Sequence, residues 1–339
     1  MNRFEWFAPQ TVASAAAAAT ATTAEAMSGR ATDAAILKGG GTDLLDLMKE
    51  NLVAPQRLVN LRDVPGLAQI TEDHDGGLRI GALVTLAALG RDTRLRPRYA
   101  ALADAIEGAG SPQLRNLATL GGNILQRPRC WYFRSTDFPC RRKGGAHCFA
   151  LSGENQYHAI FDNDFCAIVH PSTAATALVA LNAEIELVNP RGETRRLALE
   201  DFFVAPETDV TRENDLRAGE ILTAFRLPPV PENARSIYLK QGEKAGFDWP
   251  LAEVAVALEL GPNGACQKAV IVLGAAAPVP YRVRAAESVL AGRSIEPGLA
   301  AEAARAALMG ATPLAGNNYK VPIFAALMRR AILAAAARA

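Results

Sequence analysis

Two glycine-rich turns constrain this 339-residue chain more than any other feature. The first, Lys38-Gly39-Gly40-Gly41-Thr42-Asp43, follows the short apolar strand Ala35-Ile36-Leu37 and leads into a helical pattern of Leu44, Leu45, Leu47 and Met48. The second, Thr119-Leu120-Gly121-Gly122-Asn123, sits in an apolar run about 80 residues later. Backbone without Cβ atoms lets phosphate oxygens approach N–H donors, and a strand, turn and helix in succession present such donors at a helix N-terminus. Taken singly, each turn also reads as an ordinary loop, the first with Thr42 or Asp43 as helix N-cap. Neither matches the dinucleotide fingerprint or the P-loop. Together they can close on one diphosphate.

Four of the five cysteines, Cys130, Cys140, Cys148 and Cys166, follow the second turn. Clustered thiols in a chain of this size fit a metal site better than a disulfide framework. Their gaps of 9, 7 and 17 residues suit neither the short paired spacing of structural zinc knuckles nor the ferredoxin run. Pro128, Pro139, Gly144, Gly145 and Gly153 make residues 127–153 a poor helix or strand, and an irregular loop of that length is usually functional. A 4Fe-4S cluster, a zinc site and unrelated thiols are all compatible with the spacing. His147 and His158 share the insertion and read as hydrogen-bonding or packing residues, because iron–sulfur clusters prefer thiolates. Trp131 and Tyr132 either cover a metal group or only anchor the loop. Cys266, alone before an apolar strand, reads as a buried bystander.

Half the residues are apolar, enough to build about two domains of ~150 residues each. Basic and acidic residues number 36 and 35, a net charge of +1, with no run of Lys or Arg beyond pairs such as Arg141-Arg142. Nothing points to nucleic acid or an anionic membrane surface as partner. The alanine-rich run 14–26 lacks the basic start and leucine-rich hydrophobicity of a signal peptide, and reads as one helix after a strand at residues 3–7. No segment approaches ~20 uninterrupted apolar residues, so no membrane span is expected. The expected location is cytoplasmic, or periplasmic if a signal-bearing partner carries the chain across.

Short strands are expected at 57–61 and 78–82, and a helix at 99–109 ended by Gly110-Ser111-Pro112. Further on, a helix at 174–181 precedes strands at 184–188 and 220–227. Pro228-Pro229-Val230-Pro231 then punctuates the chain and divides it into residues 1–228 and 229–339. The second part has strands at 236–240, 251–258 and 270–274, a helix at 285–290 and a last helix from 321 to about 338. Its loop Lys244-Ala245-Gly246-Phe247-Asp248-Trp249-Pro250 carries an exposed aromatic pair.

Lys38 to Leu45, Arg115-Asn116 with Thr119 to Asn123, and His170-Pro171-Ser172 before an alanine-rich helix together resemble the FAD-binding medium subunit of the molybdenum hydroxylases. That family includes the xanthine and carbon monoxide dehydrogenases, and the resemblance extends over essentially the whole chain. It implies an α+β protein with a two-part FAD-binding fold of vanillyl-alcohol-oxidase type over residues 1–228. Subdomains would span about 1–57 and 58–228, with a cysteine-bearing cluster loop at 127–166. A CO-dehydrogenase-flavoprotein-like α+β domain would fill 229–339. The resemblance implies that Lys38, Gly39, Gly40, Gly41, Thr42, Asp43 and Leu44 hold FAD together with Arg115, Asn116, Thr119, Gly121, Gly122 and Asn123. Gly39 to Asp43 and Thr119 to Asn123 would take the pyrophosphate and ribityl.

Ser172, Thr173 and Lys240 are implied flavin contacts as well. Relatives commonly read Pro-Ser-Asp where this chain has Pro171-Ser172-Thr173, so a hydroxyl stands where they carry a carboxylate. Phe247, Asp248 or Trp249 would approach the flavin ring with Lys240, unless Trp249 only fills the domain interface. One subgroup carries an additional 4Fe-4S cluster on a cysteine loop near the flavin. Cys130-Trp131-Tyr132-Phe133-Arg134, Phe138-Pro139-Cys140, Gly153-Glu154-Asn155 and His158-Ala159-Ile160 are most similar to the version in bacterial three-subunit aldehyde oxidoreductases. That likeness implies Cys130, Cys140, Cys148 and Cys166 as ligands.

Partners follow from the same resemblance: a molybdopterin-binding large subunit, a 2Fe-2S small subunit and an external electron acceptor. The implied role is electron transfer, with no residue acting as a base on the organic substrate. Two alternatives stand beside it. One is the equivalent subunit of a 4-hydroxybenzoyl-CoA reductase-like complex, in which the cluster feeds electrons inward. The other is a zinc-binding scaffold with a vestigial flavin site.

Overall fold

The computed structural model describes residues 1–244 and 246–337. Ala245 of the expected 244–250 loop and Arg338 of the last helix lie outside them. Three sheets organise the chain. In the first, β1 (Glu5–Phe7), β2 (Ala35–Lys38) and β3 (Arg57–Asn60) pair in parallel with β3 in the centre. Ile36, Leu58 and Val59 are buried there, and the first glycine turn begins where β2 leaves the sheet.

The second sheet holds β4 (Ile70–Glu72), β5 (Leu78–Gly81), β6 (Glu184–Val188), β7 (Thr194–Ala198) and β8 (Ile221–Leu227), in the order β4-β5-β8-β6-β7. Its pairings are antiparallel, and period-two alternation sends Ile80, Ile185 and Phe225 into a core shared with Leu102, Ile106 and Leu178. On the other face Glu186 accepts from Arg79, Arg196 and Arg226 at 2.9–3.0 Å. The third sheet, β9 (Ala234–Gln241), β10 (Ala252–Leu260), β11 (Cys266–Gly274) and β12 (Tyr281–Arg282), is an antiparallel meander. Helices Arg284–Leu290, Pro297–Leu308 and Lys320–Ala337 cover it through Leu290, Ala303, Phe324, Met328 and Ile332. Cys266 opens β11 fully buried in this core.

Between the second and third sheets runs helix Thr173–Ala180, with all eight residues buried. Its alanines allow this close approach from both sides. Among the described residues no helix is long and apolar enough to cross a membrane.

Two expectations need correction. The alanine-rich run is two helices, Val12–Ala18 and Thr23–Met27, because the N–H groups of Thr20 and Ala21 both turn to the Ala35 carbonyl at 3.1 and 3.4 Å. A reciprocal Thr22–Glu25 capping box then starts the second helix. Strands β4 and β7 have no counterpart among the expected elements. Both lie at sheet edges and carry mostly exposed or half-exposed side chains, so they lack the apolar alternation that marks inner strands.

Glu253 on β10 is buried and accepts from Thr176 Oγ1 at 3.1 Å, while the buried Lys320 Nζ donates to the carbonyls of His158 and Ala275. Burial raises the Glu253 carboxyl from 4.5 to about 7 and lowers the Lys320 amine from 10.5 to about 7. The native carboxyl keeps a proton that the unfolded chain releases, so stability falls as pH rises from 4.5 to 7. The native amine lacks a proton that the unfolded chain keeps, so stability recovers from 7 to 10.5. Glu253→Gln removes the first limb only. It should stabilise the chain by roughly 1–3 kcal/mol near pH 8 and hardly at all near pH 5, read from urea unfolding at each pH. A variant whose profile parallels the parent's would refute this assignment.

Candidate functional site

The two glycine turns touch. A Cβ on Gly40 would be driven into the Leu117 carbonyl oxygen, and one on Gly39 would stand 3.2 Å from Thr119 Oγ1. Gly121 packs against Ala82, where an added Cβ would meet the Ala82 Cβ and carbonyl at 2.9 Å. Gly41 turns the chain with φ +84°. The segment Lys38 to Leu44 and residues Thr119, Gly121 and Gly122 line one cleft. Lys38 Nζ donates to the Gly39 carbonyl at 3.1 Å and to Asn60 Oδ1 at 3.3 Å, and burial lowers its pKa.

The turns do not contribute alike. The second is one turn of helix, Leu120–Ile124, capped by Thr119. Its amides are engaged: Leu120 donates to the Val84 carbonyl, Gly121 to the Ala82 carbonyl and Gly122 to Thr119 Oγ1. In the first turn the amides of Gly40, Gly41 and Thr42 have no acceptor among the described residues. Free phosphate-type donors therefore come from the first turn, and the second supplies close approach. Asp43, an implied FAD contact and on the alternative reading a helix cap, makes no capping bond. It accepts instead from the Arg127 amide at 2.8 Å and from Arg129 and Arg134 Nη2, each at 2.7 Å.

Beyond the cleft, Ser172 Oγ donates to Asn123 Oδ1 at 2.7 Å and caps helix Thr173–Ala180. This joins the second turn to the His170-Pro171-Ser172 segment. Thr173 Oγ1 is buried with no hydrogen-bond partner among the described residues. Arg115 and Lys240 do not line the cleft. Both clamp the bend after helix Ala100–Glu107, Arg115 Nη1 on the Glu107 and Gly110 carbonyls and Lys240 Nζ on the Gly108 carbonyl. Asn116 is exposed beside them.

The four clustered cysteines line one small cavity with Tyr132, Phe133, Arg142 and His158. The loop that brings them together contains only the short helix Trp131–Arg134 and two 3-10 turns. A hydrogen bond from the Cys148 thiol, with Arg142 beside it, lowers the Cys166 thiol to about 5 against the opposing effect of burial. Burial pushes Cys130 up to about 12 and raises Cys140. His158 Nε2 lies 3.2 Å from Cys130 Sγ, and burial lowers its pKa to about 4, so the ring is neutral. Trp131 meets His158 edge-on, and the Tyr132 hydroxyl accepts from the Glu154 amide. Among the described residues, no three His, Cys, Asp or Glu side chains are gathered as a single-ion site requires.

A second cleft opens between the cysteine loop and the 243–250 loop, walled by Arg129, Cys130, Trp131, His170, Asp248 and Trp249. The Arg129 guanidinium lies 4.8 Å over the Trp249 ring, and that of Arg115 5.8 Å over Phe247. Arg127 lines the first cleft and Arg129 the second. The buried Arg127, Arg142 and Glu213 escaped sequence reading, because no local pattern links residues that meet only through the fold.

Residues 2–230 match the FAD binding domain in molybdopterin dehydrogenase, and residues 237–335 match the CO dehydrogenase flavoprotein C-terminal domain. This chain belongs to the FAD-binding medium subunits of the molybdenum hydroxylases. Among relatives of this family, the aldehyde oxidoreductase FAD-binding subunit PaoB of Escherichia coli K12 is 40% identical over 253 residues, 74% of this chain and 77% of that protein. The carbon monoxide dehydrogenase medium chain of Afipia carboxidovorans is 28% identical over 304 residues, 88% of each. A solved structure of reconstituted CO dehydrogenase from Oligotropha carboxidovorans superposes with a TM-score of 0.74 at 25% identity, covering 100% of this chain and 99% of that one. The two-part FAD-binding domain and the C-terminal flavoprotein domain of the family are therefore both present, and the medium subunit is a flavoprotein component of an oxidoreductase.

Proposed function

We propose that this chain is the FAD and 4Fe-4S electron-transfer subunit of a molybdenum-dependent aldehyde oxidoreductase. The observation that carries this reading is the convergence of all four clustered cysteines on one cavity, set beside a cleft whose glycine turn offers unspent amides. FAD fits that cleft. The Gly40 to Thr42 amides suit its pyrophosphate, and the Asn123–Ser172 pair extends polar contacts toward the second cleft. Asp248 and Trp249 line that second cleft and would stand against the flavin ring. The bound flavin supplies storage for two electrons and their release one at a time or as a pair.

The protein's own contribution is placement and exclusion of water, since Phe133, Tyr132 and Phe149 close the cysteine cavity. Electrons would arrive from a molybdenum-bearing large subunit through a 2Fe-2S small subunit and leave to an external acceptor. The likeness to PaoB favours aldehydes as the substrates of the whole complex. The proposed domain division, at Pro228 to Pro231, is supported by its position just ahead of β9.

An absorbance spectrum with flavin, iron and zinc analysis tests the reading. One FAD and about four irons per chain are expected. Zinc in place of iron would support the scaffold alternative, and a colourless protein would sink the proposal. Turnover of aroyl-CoA thioesters but not aldehydes by the assembled complex would move it to the reductase alternative.

A further inference from the structure

Arg142 is 1% exposed, yet it carries a full charge beside the thiols. Its Nε donates to Cys166 Sγ at 3.4 Å, and its Nη1 donates to Glu213 Oε1 at 2.6 Å and to the Arg212 carbonyl at 3.2 Å. Glu213 is 2% exposed, and its Oε2 pairs with Arg127 Nε at 3.1 Å. Arg127, also buried, donates Nη2 to the Thr211 carbonyl and its amide to Asp43 in the first glycine turn. Two cations and one anion thus stand between the cysteine cavity and the flavin cleft. A buried ion pair is an expensive way to stabilise a fold, and apolar residues of similar volume would serve stability as well. What the pair adds beyond stability is an N–H donor and a fixed positive charge set against the Cys166 sulfur.

We propose that Arg142 is a positioning residue that fixes the Cys166 thiolate and raises the reduction potential of the iron–sulfur group held by the four cysteines, while Glu213 is the counter-charge that limits the rise. The inference rests on the cluster reading given above. Reduction adds one electron and no proton is exchanged with the guanidinium, which stays charged in both states. A fixed cation and an N–H donor at a ligand sulfur stabilise the more negative, reduced state, and a nearby carboxylate opposes that stabilisation.

Redox titration of the full chain, followed by the electron paramagnetic resonance signal of the reduced cluster, separates the roles. Arg142→Met is expected to move the midpoint to a more negative value, with Arg142→Lys between it and the parent. Glu213→Gln should move it the opposite way, because Arg142 then acts unopposed. Iron per chain is measured in every variant. Should Arg142→Met lose its iron, the Lys and Gln variants decide the question by the sign of their shifts. Unchanged midpoints, or shifts of the same sign for Arg142→Lys and Glu213→Gln, in protein with a full complement of iron would overturn the inference and leave the cluster reading standing. A parent chain that binds no iron would overturn both.

Discussion

Replacing Gly40 by valine should empty the cleft proposed for FAD: the FAD retained per chain after desalting falls at least about tenfold, the equivalent of ~1.4 kcal/mol of binding. The reason is backbone against backbone. Any Cβ at residue 40 is aimed at the Leu117 carbonyl oxygen, which cannot swing aside as the end of a long side chain can. Relief requires the first turn to move away from the segment that carries Thr119, and Thr119 caps the second turn. The amides of Gly40, Gly41 and Thr42 would move with it, which removes the donors best placed for a pyrophosphate. Gly298→Ala serves as the control, because nothing lies within 4 Å of an added Cβ there and its φ is not in the left-handed region. Flavin absorbance normalised to protein measures both. A Gly40→Val chain that keeps its FAD while folding normally would show that the turn is not part of the site.

The parts of the site legible in the sequence are those whose chemistry belongs to residue type. Glycine at 39 to 41 and at 121 and 122 signals backbone proximity before any partner is known, and the structure supplies the partners, Leu117, Thr119 and Ala82. Clustered cysteines likewise advertise themselves, although their spacing alone does not name the group they hold. Side chains whose role depends on a distant partner were invisible. Arg142, Glu213 and Arg127 are ordinary charged residues in sequence and become a buried triad only through the fold. Asp43 was legible as a residue at a helix start and not as an arginine acceptor, since its partners lie more than 80 residues away. The same limit explains the second turn, whose amides are consumed by carbonyls of residues 82 and 84 that no local pattern identifies. Among the elements, inner strands with apolar alternation read correctly, whereas the polar edge strands β4 and β7 offered nothing to read.

Asp43→Ala is expected to lower flavin and iron together, and this distinguishes it from Gly40→Val. One carboxylate holds the Arg127 amide, the Arg129 guanidinium and the Arg134 guanidinium, so the first glycine turn and the start of the cysteine loop share a single anchor. Removing it takes the shared carboxylate from those donors in a partly buried setting and leaves the two guanidinium groups only the more exposed Asp46. Arg134 side-chain exposure is 12% and that of Arg129 is 25%, and Asp46 remains 3.1 Å from Arg134. The loss should therefore fall somewhat below the range for fully buried pairs, roughly 2–4 kcal/mol. Asp43→Asn keeps one acceptor oxygen but no charge, and should sit between parent and Ala variant in both cofactor contents. Flavin and iron per chain, with the urea midpoint of each variant, provide the check. Full iron beside lost flavin in Asp43→Ala would mean that the two sites are built independently. Joint loss would mean that the cysteine loop is held in register by the flavin turn, which places the four thiols at a fixed position relative to the cleft before either group is bound.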